Sequence, residues 1–218
     1  MNVDLSKERR LVILASPIIV IFIGFITAFA FSKFIGEWAW VPLAIVYWSS
    51  LGICIFIFKG KKSIKDWLKK PQPSPLFVTL SLVLGMFPLS ILIMNYQLFD
   101  SVLLVIFWLL FALINPWFEE FYWRGLLLDA AEKWLPKWMG AAYTTIFFVL
   151  SHPFMWGVFS IASTSWHLYL YLSITGLVWA YTYFKTKSLR WVILSHFIVD
   201  IGNLTVLTFL NIYLPPTV

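Results

Sequence analysis

Long apolar runs, separated by short polar stretches, dominate this chain. Predominantly apolar segments fall at roughly 11–31, 38–58, 76–94, 101–118, 138–160, 166–184 and 190–212. A helix needs about 20 such residues to cross the hydrocarbon of a bilayer. The pattern therefore predicts an all-α, polytopic transmembrane helix bundle of about seven spans. The stretch 153–165 is ambiguous, so six or eight spans also fit. No internal repeat and no soluble domain interrupts 1–218, which reads as a single integral membrane domain. The first apolar run, Leu11 to about Phe31, is too long for a secretory signal and has no small-residue cleavage site after it. It is expected to be a span.

One clearly polar linker runs from Lys59 to Pro75. It carries Lys59, Lys61, Lys62, Lys65, Lys69 and Lys70, then Pro71-Gln72-Pro73-Ser74-Pro75, through which no helix continues. Its expected place is the membrane surface, with Trp67 and Leu68 dipping into the interface.

Composition agrees with the pattern. The chain is 61% hydrophobic and 12% charged, with a mean hydropathy of +0.86. Soluble domains carry about 45–50% apolar and about 25% charged residues. The net charge of +6 does not point to nucleic acid, because the basic residues form clusters between apolar runs rather than a stripe interleaved with aromatics. Fourteen of the sixteen basic residues fall on one side of the predicted spans; Lys33 and Arg124 are the exceptions. The positive-inside rule then puts the amino terminus and the 59–75 linker in the cytoplasm, with the protein in the plasma (inner) membrane. Thirteen Trp and nine Tyr suit interfacial belts. The lone Cys54 provides no disulfide framework.

Ionisable groups within a bilayer are costly and functional by default. Three groups of them stand out. In Glu119-Glu120-Phe121-Tyr122-Trp123-Arg124-Gly125, Glu120 and Arg124 share a helical face and can pair. Glu119, rotated about 100°, is left for another task such as general base. The motif would also fit a charged helix face already outside the membrane. The second group is Phe148-Val149-Leu150-Ser151-His152. A hairpin turn at Leu135-Pro136 would bring Glu119 and His152 to matching depth on antiparallel helices, although a lone His is often structural. The third is His196, Asp200 and Asn203, which the helical repeat puts on one face; a polar patch binding helices together is the alternative. Asn115-Pro116 is expected to kink the helix before the carboxylates, and His167 is expected at the interface.

These residues resemble a known family. Glu119 to Gly125 fits E-E-x-x-x-R and its following glycine, Phe148 to His152 fits F-x-x-x-H, and His196 to Asp200 fits H-x-x-x-[N or D], with Ser188-Leu189 also similar. The chain resembles the CAAX protease and bacteriocin-processing (CPBP, or Abi) family of intramembrane proteases over roughly residues 100–210. The resemblance implies an endopeptidase acting on membrane-associated, prenylated or bacteriocin-type substrates near the cytosolic boundary. Its site would be a cavity open to the cytoplasm and lined by the fourth, fifth and last helices. Glu119 and His152 would activate water, His196 and Asp200 would hold the oxyanion, and Glu120 and Arg124 would support the first motif. Asp200 departs from relatives with asparagine there. Either it orients His196 or is protonated, with no cofactor involved, or Glu119, His152, His196 and Asp200 bind Zn²⁺. The expected partners are the lipid bilayer and a membrane-bound peptide or protein. Rival readings are a proton-coupled transporter-like protein and a non-catalytic immunity or scaffold protein.

Overall fold

A computed structural model describes residues 7–59 and 64–215; Lys61 and Lys62 of the basic linker lie outside the described residues. All regular structure among those residues is helical. Helices α1 (Lys7–Ile35) and α2 (Trp40–Phe58) form a hairpin about a 3-10 turn at Gly36–Ala39. The linker contributes α3 (Ile64–Trp67), and α4 (Pro75–Met86) and α5 (Leu89–Asn95) follow it. Helix α6 (Val102–Glu120) begins where the Ser101 hydroxyl accepts a hydrogen bond from the Leu103 N–H, and it runs into a π-helical segment, Phe121–Leu127. Short α7 (Leu128–Ala131) precedes α8 (Lys137–Phe154), α9 (Trp166–Thr186), α10 (Arg190–Gly202) and α11 (Thr205–Phe209).

Every expected apolar segment is thus helical, but helices and membrane crossings are counted differently. Among the described residues, three stretches are long and apolar enough to cross a membrane: Lys7–Phe58, Pro75–Leu98 and Val102–Ala131. The first of these contains both α1 and α2. Large apolar side chains cover the outside of the molecule, including Phe34 (83% exposed) and Phe56 (88%). Water would leave such a surface unstable, whereas lipid covers it. The protein is an integral membrane protein.

Two expected spans are broken. The third divides at Phe87-Pro88, since proline supplies no N–H for a continuing helix. The last, expected over 190–212, stops at Gly202, and Leu204 adopts a left-handed backbone (φ 56°) before α11. Gly202 is required here. A Cβ on it would lie 2.7 Å from the Leu89 nitrogen and the Pro88 carbonyl carbon, so the two breaks pack backbone to backbone.

The basic segments gather at one end of the bundle. Arg9 Nη2 donates to Ile57 O (2.8 Å), Leu189 N to Trp67 O (2.8 Å) and Gln72 N to Thr186 O (2.7 Å). Trp67 Nε1 and Tyr183 Oη both donate to Asp129. Trp67 is therefore not an interfacial anchor as expected: it is 3% exposed and stacks on Phe121 inside the bundle. The opposite end gathers 36–38, 101–104 and 210–212 around one groove, with Ile161 and Phe159 tied to Asn211.

Candidate active site

Local sequence explains how α6 presents its two carboxylates. Pro116 is accommodated within continuous α6, and the expected irregularity appears later, as the π-helix over Phe121–Leu127. Such segments are uncommon and recur at functional sites. Adjacent helical positions diverge, so Glu119 lines the interior cavity while Glu120 points away from it.

Glu120 pairs with Arg124 (Oε1–Nη1, 2.9 Å), as their spacing requires, with both side chains essentially unexposed. The guanidinium lies over the rings of Phe148 (4.3 Å) and Trp179 (5.1 Å), which joins the first motif to α8 and α9. Glu120 also accepts from His196: its Oε1 lies 2.7 Å from His196 Nδ1. That contact fixes the ring, whose Nε2 then faces Glu119 Oε2 (3.4 Å) and Asp200 Oδ2 (3.7 Å). Trp179 stacks on the same imidazole at 4.7 Å.

Glu119 is held from three sides. Tyr47 Oη donates to its Oε1 (2.7 Å), Asn115 Nδ2 donates to its Oε2 (3.3 Å), and His196 stands beside that oxygen. Asn115 Nδ2 also donates to Asp200 Oδ2 (3.1 Å), while Trp48 Nε1 fixes Asn115 Oδ1 (2.9 Å). Trp123 Nε1 donates to Tyr47 Oη (3.1 Å). Asp200 receives a further bond from Thr205 Oγ1, which also bonds Asn203 Oδ1. Asn203 sits just past the end of α10 rather than on the helix itself.

His152 stands across the cavity on α8. Its Nδ1 lies 2.9 Å from Phe148 O. A carbonyl only accepts, so Nδ1 carries the proton, and when the ring is neutral Nε2 presents its lone pair. Glu119, His152, His196, Asp200 and Asn203 all line one cavity of about 240 Å³. His167, expected at the interface, is exposed and lines the cavity's outer part.

The lining also departs from expectation. Besides α6, α8 and α10, it includes α9 and the α4–α5 break at Phe87-Pro88. Its exposed members, Phe87 and His167, and its half-buried Tyr213 and Pro215 lie away from the basic segments. On the basic side, Trp123, Arg124 and Trp67 are all buried (0%, 1% and 3% exposed).

Sequence reasoning did not single out Tyr47, Trp48 or Trp123, and it treated Asn115 only as part of a kink. The available signal was Tyr47-Trp48-Ser49-Ser50, polar handles in the middle of an apolar segment where an interfacial belt has no place. The possible zinc set fits poorly. Among the described residues no three His, Cys, Asp or Glu side chains form a metal-holding group. The Asn115 amide nitrogen, a donor rather than a ligand, occupies the approach between Glu119 and Asp200.

No curated protein and no solved structure matches the chain. Residues 101–202 match the family model described as type II CAAX prenyl endopeptidase Rce1-like. That range holds Glu119, His152, His196 and Asp200, and leaves Tyr47 outside it. The match places an Rce1-like domain of the CAAX protease and CPBP family at residues 101–202, a little under half of the chain.

Proposed function

We propose that the protein is an intramembrane endopeptidase in which Glu119 and His152 activate water against a peptide bond. The observation that carries this reading is the arrangement around one cavity of an anchored carboxylate, a His with an open nitrogen, and a second His fixed by Glu120.

In the proposed reaction, water entering between Glu119 and His152 gives a proton to Glu119 while its oxygen bonds to the scissile carbonyl carbon. The carbonyl π electrons move onto oxygen, which accepts a hydrogen bond from Nε2–H of the His196 imidazolium, beside Glu119 and Asp200. Collapse of that intermediate breaks the C–N bond. The proton held by Glu119 passes to the departing nitrogen, so one water is consumed and a carboxylic acid and an amine are released. Preorganised donors in a low-dielectric site stabilise such charge better than water does. Glu120 and Arg124 act through His196 and are positioning residues.

A metal-free route is part of the proposal. It rests on the donor set: Asn115 stands between the carboxylates, and Glu120 and Phe148 occupy the Nδ1 atoms of the two histidines. The test is incubation of the purified, detergent-solubilised protein with a peptide library, read by mass spectrometry. Paired fragments whose summed mass exceeds the parent by one water are expected, and they should persist with a chelator present. Absence of cleavage across the library would overturn the reading.

A further inference from the structure

We infer that Asn115 is a positioning residue: its amide, aimed by Trp48, bridges Glu119 and Asp200 and so leaves the His196 Nε2–H available to the substrate. The part it plays in turnover rests on the peptidase reading, whereas the bridge itself rests on the contacts alone.

An asparagine side chain has a donor end and an acceptor end, and only the donor end suits a pair of carboxylates. Trp48 decides which end faces them. An indole N–H only donates, and Trp48 Nε1 lies 2.9 Å from Asn115 Oδ1. The amide oxygen is therefore taken by α2, and Nδ2 keeps its two N–H groups for α6 and α10. It donates to Glu119 Oε2 (3.3 Å) and to Asp200 Oδ2 (3.1 Å). Asn115 is 4% exposed, and the Trp48 ring that aims it is itself stacked on Phe118 and tilted against Phe111.

His196 Nε2 faces the same two oxygens, at 3.4 Å from Glu119 Oε2 and 3.7 Å from Asp200 Oδ2. The Asn115 amide is closer to each of them than the imidazole is. In the proposed reaction the His196 Nε2–H serves the developing oxyanion. Were it the sole donor to those two oxygens, that service would leave both without a partner in a buried site, which is costly. Asn115 keeps both oxygens bonded while the histidine serves the substrate. The contact to Glu119 spans one helical turn, whereas those to Trp48 and Asp200 span 67 and 85 positions. One amide thus ties α2, α6 and α10 together at the reacting end of the cavity.

The test uses the purified full chain in detergent and a peptide that it cleaves. Asn115→Asp keeps the size of the side chain and the acceptor for Trp48, and removes both donors. A fall in kcat of roughly tenfold to a hundredfold is expected, with KM little changed and Tm recorded in parallel. Adding Asp200→Asn moves the amide across the contact, so that position 200 donates to position 115. Partial recovery of kcat is then expected, partial because the bond to Glu119 is not restored; a substitution that merely damaged the fold would recover nothing. Wild-type kcat in Asn115→Asp, a loss confined to KM, or a double variant no faster than Asn115→Asp overturns the inference.

Trp48→Phe covers the case in which Asn115→Asp does not fold. It leaves Asn115 in place and removes only the donor that fixes the amide's direction. A several-fold fall in kcat with a cooperative unfolding transition is expected, and wild-type kcat overturns the inference. If the wild type cleaves no peptide, the peptidase reading fails on its own, and thermal unfolding decides the bridge. Changes in Tm for Asn115→Asp and Asp200→Asn that are non-additive in the double variant support it, and additive changes overturn it.

Discussion

Tyr47 Oη donates a 2.7 Å hydrogen bond to Glu119 Oε1, joining the first helical hairpin to the proposed catalytic carboxylate across 72 positions of sequence. Trp123 Nε1 donates to that same phenol oxygen. The carboxylate is thus oriented from outside the 101–202 domain, and in the proposed mechanism α2 contributes to holding it.

Tyr47→Phe keeps the ring and removes only the hydroxyl. A hydrogen bond to a charged group contributes about 1.5–3 kcal/mol, so turnover should fall by roughly tenfold to a hundredfold. Folded yield should change little, since the packing against Trp156 remains. Peptide cleavage at wild-type kcat would show that Tyr47 does not hold Glu119 for the reaction.

Arg124 carries a different load. It is 1% exposed, paired with Glu120 and stacked between Phe148 and Trp179. Arg124→Ala leaves the buried Glu120 carboxylate with His196 as its remaining partner, and breaking a buried pair costs up to about 3–5 kcal/mol. Arg124→Lys should recover only part of this, because an ammonium cannot stack as a planar guanidinium does. Thermal unfolding in detergent checks both variants, and a Tm equal to wild type in either would remove the argument.

Gly125 faces Trp67, and a Cβ there would sit 2.9 Å from the ring. Gly125→Ala should destabilise by about 1–3 kcal/mol through overpacking. Adding Trp67→Ala should relieve much of that strain, giving non-additivity in a double-mutant cycle. Additive losses in Tm would mean that Trp67 does not fill this space.

Much of this was legible from residue patterns, and what was missed has physical reasons. Long apolar runs located the long helices, and the spacing of Glu120 and Arg124 predicted their ion pair. Local patterns could not show that α10 ends at Gly202, because the close approach of Pro88 and Leu89 is a tertiary fact. Nor could they take Trp67 off the membrane surface, since its partners Phe121 and Asp129 lie far along the chain. Tyr47 stands in the sequence as one of nine tyrosines, inside an apolar run. Only the fold shows that its hydroxyl ends at Glu119.

Asp200 separates the metal-free and metal-dependent mechanisms. Its Oδ2 accepts from Asn115, a bond that an amide oxygen can replace. Asp200→Asn should therefore retain activity, and a chelator should not affect wild type or variant. Stoichiometric zinc in active wild-type protein, lost together with activity in Asp200→Asn, would establish the metal-dependent mechanism instead.

The central claim is that Glu119 takes the proton of the attacking water. Glu119→Gln keeps size and burial but accepts no proton, and positioned general bases contribute about 10²–10⁴-fold. The decisive measurement compares kcat for peptide cleavage by wild type and Glu119→Gln, at matched purity and with thermal unfolding recorded in parallel. A loss of about 10²-fold or more with a cooperative unfolding transition retained is the expected result. Cleavage by a folded Glu119→Gln variant at the wild-type rate would contradict it.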